Sequence, residues 1–155
     1  MMITRRTIVM TGAAFVWTQA LPGSARTLTP IHVVKNPGCP CCNAWIGHLR
    51  DSGFPVSFEE RSIEALEIYK RAMGVPVDLA SCHTGTVEGY VLEGHVPAAD
   101  IRSLLDLRPD AIGLAVPGMP YGSPGMGPET EREAYDVILI GKDGSASIFT
   151  RYAAA

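Results

Sequence analysis

The residues with the most chemical potential lie in Lys35-Asn36-Pro37-Gly38-Cys39-Pro40-Cys41-Cys42-Asn43-Ala44-Trp45, which puts three of the four cysteines within four positions. Thiolates are the nucleophiles of disulfide exchange and the ligands of soft metal ions. Upstream, Ile31-His32-Val33-Val34 reads as a short apolar strand, and downstream Trp45, Ile46 and Leu49 recur at helical spacing. The cysteines therefore fall where a strand ends and a helix begins. Cys39 suits the N-cap and Pro40 the first helical position, where a missing N–H costs nothing. Cys42, three residues on, is then within reach of Cys39. Orphan backbone N–H groups and the positive helix end favour thiolate over thiol there.

Two kinds of chemistry fit this turn. A disulfide between Cys39 and Cys42 closes too small a loop to stabilise much, so the pair reads as redox or metal chemistry more readily than as a staple. In the redox reading Cys39 and Cys42 are the exchanging thiols of a thiol–disulfide oxidoreductase. Cys41 counts against that reading, because a third thiol invites scrambling, whereas three thiolates in one turn suit a thiophilic metal.

Further soft donors lie along the chain. Cys82 is far in sequence from the other three, and reads as a fourth thiolate or as a disulfide partner of Cys39 or Cys42. His83 adjoins it, and His95 lies between Gly94 and Val96. Met119 and Met126 sit in Pro117–Pro128, a stretch in which eight of twelve residues are Gly or Pro, so it forms neither helix nor central strand. Methionines in such a loop are not a core stripe. Thioether with thiolate is a soft set that points to Cu(I) over zinc, and the paired Cys/His motifs usual for zinc are absent. The metal set read from the sequence is thus Cys39, Cys41, Cys42, Cys82, His83, His95, Met119 and Met126. His32 reads as structural. His48 shares a face with Cys41 and Trp45 but lies about 10 Å further along the helix axis, and reads as solvated.

The elements that must position these residues start after an export signal. Arg5-Arg6 precedes a weakly apolar run from Ile8 to Leu21, and Gly23-Ser24-Ala25 offers a cleavage site. The pattern looks like the twin-arginine type, with cleavage near Ala25 and a periplasmic destination. The run is shorter than the roughly 20 residues of a spanning helix, so no stable membrane insertion is expected after cleavage. Residues 26–155 then form one domain. The chain carries −3 at neutral pH, and about −5 once Arg5 and Arg6 are removed, with no basic run, so nucleic acid is not an expected partner.

Val56-Ser57-Phe58-Glu59 alternates as a strand, and Ile63, Leu66, Tyr69 and Met73 mark one face of a helix that Gly74-Val75-Pro76 ends. The first half thus reads β-α-β-α with a parallel strand pair. Near the C-terminus Asp136–Ile140 and Ser145–Phe149 flank an Asp-Gly turn, a hairpin signal. An α/β (α+β) chain of this order resembles the thioredoxin fold: a mixed sheet, here with an inserted Cys-His segment and a Gly/Pro/Met-rich loop. Val116-Pro117 and Val75-Pro76 compete as its cis-proline. Within the inserted segment Thr86–Glu93 reads as one β-type stretch, and Ile101, Leu104 and Leu105 mark a helix ending near Arg108-Pro109.

Four stretches in this order carry a family resemblance: Cys39-Pro40-Cys41-Cys42-Asn43-Ala44-Trp45, Ser81-Cys82-His83-Thr84, Glu88–Ala98 with Gly94-His95, and Gly113–Pro120 with Gly122-Ser123-Pro124-Gly125-Met126. Together they resemble an exported metal-binding family of unknown-function domains that includes the copper-resistance protein CopG. The resemblance implies a thioredoxin-like fold, a periplasmic location and a copper site of cysteines with nearby His and Met. It also implies a role in copper tolerance with Cu(I)/Cu(II) interconversion, and exchange with periplasmic copper carriers or efflux components. Enzyme and passive copper buffer both fit the sequence.

Overall fold

The structure, a computed structural model, describes residues 29–155. The expected export signal and cleavage site lie outside the described residues. Among the described residues seven strands form one mixed sheet in the order β2-β1-β3-β4-β5-β6-β7. They are β1 (Ile31–Lys35), β2 (Val56–Glu60), β3 (His83–Val87), β4 (Tyr90–Glu93), β5 (Ala111–Ala115), β6 (Tyr135–Gly141) and β7 (Ala146–Tyr152). The helices are α1 (Pro40–Asp51), α2 (Ile63–Ala72) and α3 (Ala98–Leu107). The α+β class read from the sequence is the class the chain adopts.

The start of α1 follows local chemistry. Cys39 is the N-cap, its sulfur accepts the N–H of Cys42 at 3.3 Å, and Pro40 takes the first helical position. The helix then buries Cys42, Trp45, Ile46 and Leu49 against the sheet. Trp45 is fully buried and donates its indole N–H to the Val96 carbonyl at 2.8 Å. Removing such a side chain typically costs about 3–5 kcal/mol, so this helix is firmly seated.

Strand direction explains why distant motifs meet. β1 runs parallel to β2 and antiparallel to β3, β3 is antiparallel to β4, and β4 is parallel to β5. The C-terminal ends of β1, β4 and β5 and the N-terminal end of β3 therefore share one edge of the sheet. The cysteine turn leaves from β1, Ser81-Cys82 enters β3, Gly94-His95 leaves β4, and the Gly/Pro loop leaves β5, all at that edge.

Several expectations need correcting. The Cys-His segment is not an insertion: β3 and β4 occupy the middle of the sheet. Thr86–Glu93 is not one strand but part of a hairpin turning at Glu88-Gly89, both with positive φ (45° and 85°), as a two-residue turn requires. The hairpin β6–β7 does form, but at the far edge. β5, an apolar run that the sequence reading did not assign to a strand, pairs with β4; a Cβ at Gly113 would lie 1.9 Å from the Val91 carbonyl oxygen. Neither Val116-Pro117 nor Val75-Pro76 is cis; no cis peptide bond occurs among the described residues. Ile63 is 59% exposed, because the buried stripe of α2 runs through Leu66 and Lys70. No helix among the described residues is long and apolar enough to cross a membrane.

Candidate metal centre

The shared sheet edge gathers six of the eight predicted donors into one cluster. Cys39 and Cys42 are joined as a disulfide. Cys41 Sγ lies 3.5 Å from Cys39 Sγ and 3.9 Å from Cys82 Sγ. Cys82 Sγ in turn lies 3.2 Å from His83 Nδ1 and 3.3 Å from His95 Nε2. The donor atoms of Cys39, Cys41, Cys42 and Cys82, and separately those of Cys82, His83 and His95, fall within 4.8 Å of one another, close enough to hold a metal ion. Cys82 belongs to both groups and links a sulfur half to an imidazole half.

Hydrogen bonding fixes the imidazoles. His95 Nδ1 sits 2.8 Å from the Pro124 carbonyl, an acceptor only, so Nδ1 carries the proton. Nε2 of the neutral ring then presents its lone pair toward Cys82. Such a bond to the far nitrogen is how proteins orient a ligating histidine. His83 is fully buried and packs against Trp45, with ring centroids 4.3 Å apart. Its Nε2 is the one buried side-chain nitrogen or oxygen without a hydrogen-bond partner among the described residues. The nitrogen that faces Cys82 is Nδ1, so ligation there leaves Nε2 unpartnered.

The protonation states follow from burial. His83 is held well below its ordinary value, chiefly by burial, then by the nearby His95 and Lys70 charges. His95 is lowered by burial, against the pull of its bond to Pro124. Both rings are therefore neutral at pH 7, the form that ligates. Burial, with the charge of Cys41 beside it, pushes the Cys82 thiol up to about 12, so an ion bound there must displace a proton.

The Gly/Pro loop reaches this cluster. Pro124 holds His95, and Ser81 Oγ donates to the Gly118 carbonyl at 2.6 Å. Gly125 packs on the first turns of α1, where a Cβ would lie 2.7 Å from Trp45 N and 2.9 Å from the Cys41 carbonyl oxygen. Of the two loop methionines, Met119 is 53% exposed and Met126 is half-buried, directly after Gly125. A cleft of about 320 Å³, bounded by Asn36, Cys39, Ile63, Leu66, Ser81 and Cys82 among others, opens onto the sulfurs. A larger cleft of about 540 Å³, with His48, Pro124 and Tyr152 in its wall, contains no cysteine. His48 is not simply solvated: it is half-buried, and its Nε2 accepts the Ala98 N–H at the start of α3. His32, as expected, stands apart, paired with Ser57.

Sequence reasoning missed the groups beneath the cluster. Glu93 is fully buried, with one oxygen accepting from Lys70 Nζ at 2.5 Å and Ser81 N at 2.6 Å, and the other from Thr84 Oγ1 at 2.7 Å. A signal was present: Lys70 lies four residues after Leu66, on the buried stripe of α2.

The fold and the cluster define an α+β protein with a cysteine–histidine cluster at one sheet edge, its donor atoms close enough together to hold a metal ion. The family described as protein of unknown function, DUF411, matches residues 79–126, the span from the approach to Cys82 through the loop methionines. Two solved structures titled copper resistance protein copG, forms 1 and 2, are each 42% identical; each match covers 81% of this chain and 98% of theirs, with TM-scores of 0.75 and 0.74. The chain belongs to this CopG-like DUF411 family. Among curated proteins no relative matches.

Proposed function

We propose that this protein binds copper ions at the Cys/His cluster, in the periplasm, and serves copper tolerance by interconverting Cu(I) and Cu(II). The observation that carries the reading is Cys82, whose one sulfur lies within 3.9 Å of a second sulfur and within 3.3 Å of two imidazole nitrogens. Thiolates and thioethers favour Cu(I) and imidazoles accept Cu(II), so one cluster serves both states. The solved relatives titled copper resistance protein support the choice of copper. The ligand set is Cys41, Cys82, His83 and His95, joined by Cys39 and Cys42 when their disulfide is reduced, with Met119 and Met126 on the covering loop. We read β1 to α3 as the thioredoxin-like unit, and residues 1–25 as its cleaved export signal.

Once the Cys39–Cys42 disulfide is reduced, the pair can supply the electrons for copper reduction. On closing their disulfide, the Cys39 and Cys42 thiols release two protons and two electrons, enough to take two Cu(II) ions to two Cu(I). A dithiol reductant of the exported compartment restores the pair. Copper carriers or efflux components receive the Cu(I).

A second reading, thiol–disulfide exchange on protein substrates by Cys39 and Cys42, is favoured by their disulfide at a helix N-terminus. Metal competition tests the first reading. Reduced protein should take Cu(I) from a chelator that outcompetes it for Zn(II), and Cys39→Ser/Cys42→Ser should lose most of the copper. Tighter zinc binding, or full copper retention by the double variant, contradicts it.

A further inference from the structure

The Lys70–Glu93 pair has no role in the ligand set, yet it is buried directly beneath it. A buried ion pair is weak evidence for stability, since apolar residues of similar volume often serve the fold as well or better. The bonds that the carboxylate makes beyond Lys70 show what it specifies. Glu93 accepts the backbone N–H of Ser81 and the hydroxyl of Thr84, the residues on either side of Cys82-His83. Lys70 donates to both Glu93 and Thr84, which locks the carboxylate's orientation. Thr84 and Glu93 are also register partners across β3 and β4. Two residues beyond Glu93 comes His95. Ser81 passes the constraint on to the covering loop through Gly118.

We propose that Glu93, oriented by Lys70, is the positioning residue of the metal centre: its carboxylate grips both ends of the Cys82-His83 dipeptide and sets their donors against Cys41 and His95. The inference rests on the copper reading but concerns which residue sets the geometry. Partners outside a ligand shell commonly matter by about 10–100-fold in metal affinity.

Two near-isosteric double variants separate positioning from folding. Lys70→Met/Glu93→Gln removes both charges but keeps an oxygen to accept from Ser81 and an amide N–H to donate to Thr84 Oγ1, a bond that takes over from Lys70 in holding the side chain's orientation. Lys70→Met/Glu93→Leu removes the acceptor as well. The glutamine variant should unfold near the wild-type temperature, because both buried charges leave together, and the leucine variant somewhat lower, because the Ser81 N–H and the Thr84 hydroxyl lose their acceptor. The glutamine variant should keep wild-type Cu(I) affinity and copper absorption spectrum. The leucine variant should lose about 10–100-fold in affinity, with an altered spectrum. Should the leucine variant fail to fold, Glu93→Asp withdraws the carboxylate by one methylene and should show the same loss. A metal-free readout accompanies these: with Cys39–Cys42 closed, a mild oxidant should couple Cys41 to Cys82 more slowly in the leucine or aspartate variant than in wild type. Equal affinities, spectra and coupling rates across the set overturn the proposal. Wild-type protein that binds no copper would sink the copper reading instead, and the coupling rates would still decide the role of Glu93.

Discussion

Cys82 offers one sulfur to three neighbours, and its position sets what each cysteine can do. Cys41 is the residue that separates copper chemistry from disulfide exchange. Exchange needs only a nucleophile and a resolving thiol, here Cys39 and Cys42. Cys41 Sγ instead stands between Cys39 and Cys82, at 3.5 and 3.9 Å. Cys41→Ser should therefore change copper stoichiometry or spectrum, measured by chelator titration, while leaving any reductase activity toward a disulfide substrate intact. Undiminished exchange by the metal-free variant, with negligible copper binding in both proteins, favours the oxidoreductase reading. The histidines make a second prediction, for metal-free protein. Both His83 and His95 have folded values below the ordinary 6.5, so they contribute stability above pH 6.5 that is lost as pH falls from there toward the folded values. Below 6.5 the unfolded chain takes up protons that the folded one refuses. The slope for buried His83 should approach about 1.4 kcal/mol per pH unit. Urea unfolding at stepwise lower pH checks this; stability that holds or rises below pH 6 would contradict it.

At the scale of elements, legibility followed local chemistry. Cys39 as N-cap, Pro40 at the first helical position and the hairpin β6–β7 were readable because each depends on a few adjacent residues, and the parallel pair β1–β2 because a single strand–helix–strand unit makes it. The central place of β3 and β4 was not, because strand order depends on pairings between residues about 50 apart, such as Val34 with Thr84. For the same reason the convergence of Cys82 on the cysteine turn could be read as a possibility only. The loop from Pro117 to Pro128 belongs to this scale. Its backbone lies on α1 at Gly125, whose φ of 88° and contact with Trp45 N exclude a side chain. Gly125→Ala should cost about 1–3 kcal/mol from backbone strain alone and release the Pro124 grip on His95. Met119→Leu/Met126→Leu keeps the bulk and removes the sulfur. We expect faster Cu(I) release, with Cu(II) binding nearly unchanged, since a neutral thioether favours the softer ion. Wild-type release rates in the leucine variant would show the methionines to be packing residues.

For the whole molecule, the architecture amounts to one sheet whose strand directions bring four chain segments to a common edge, with Trp45 and residues of β3 and β4 packed in the core behind it. A copper ion bound only to the folded state at 1,000 times its dissociation constant would add about 4 kcal/mol to stability. That coupling makes the occupied protein the form to isolate. The most direct measurement is therefore metal analysis with a thiol count on protein recovered from the periplasm of copper-exposed cells. The account predicts a mature N-terminus near Arg26 and bound copper in excess of zinc, with bound Cu(I) released when the thiols are alkylated. Protein retained uncleaved in the cytoplasm would contradict the export reading, and periplasmic protein carrying zinc or no metal, with Cys39–Cys42 closed, would contradict the copper site itself.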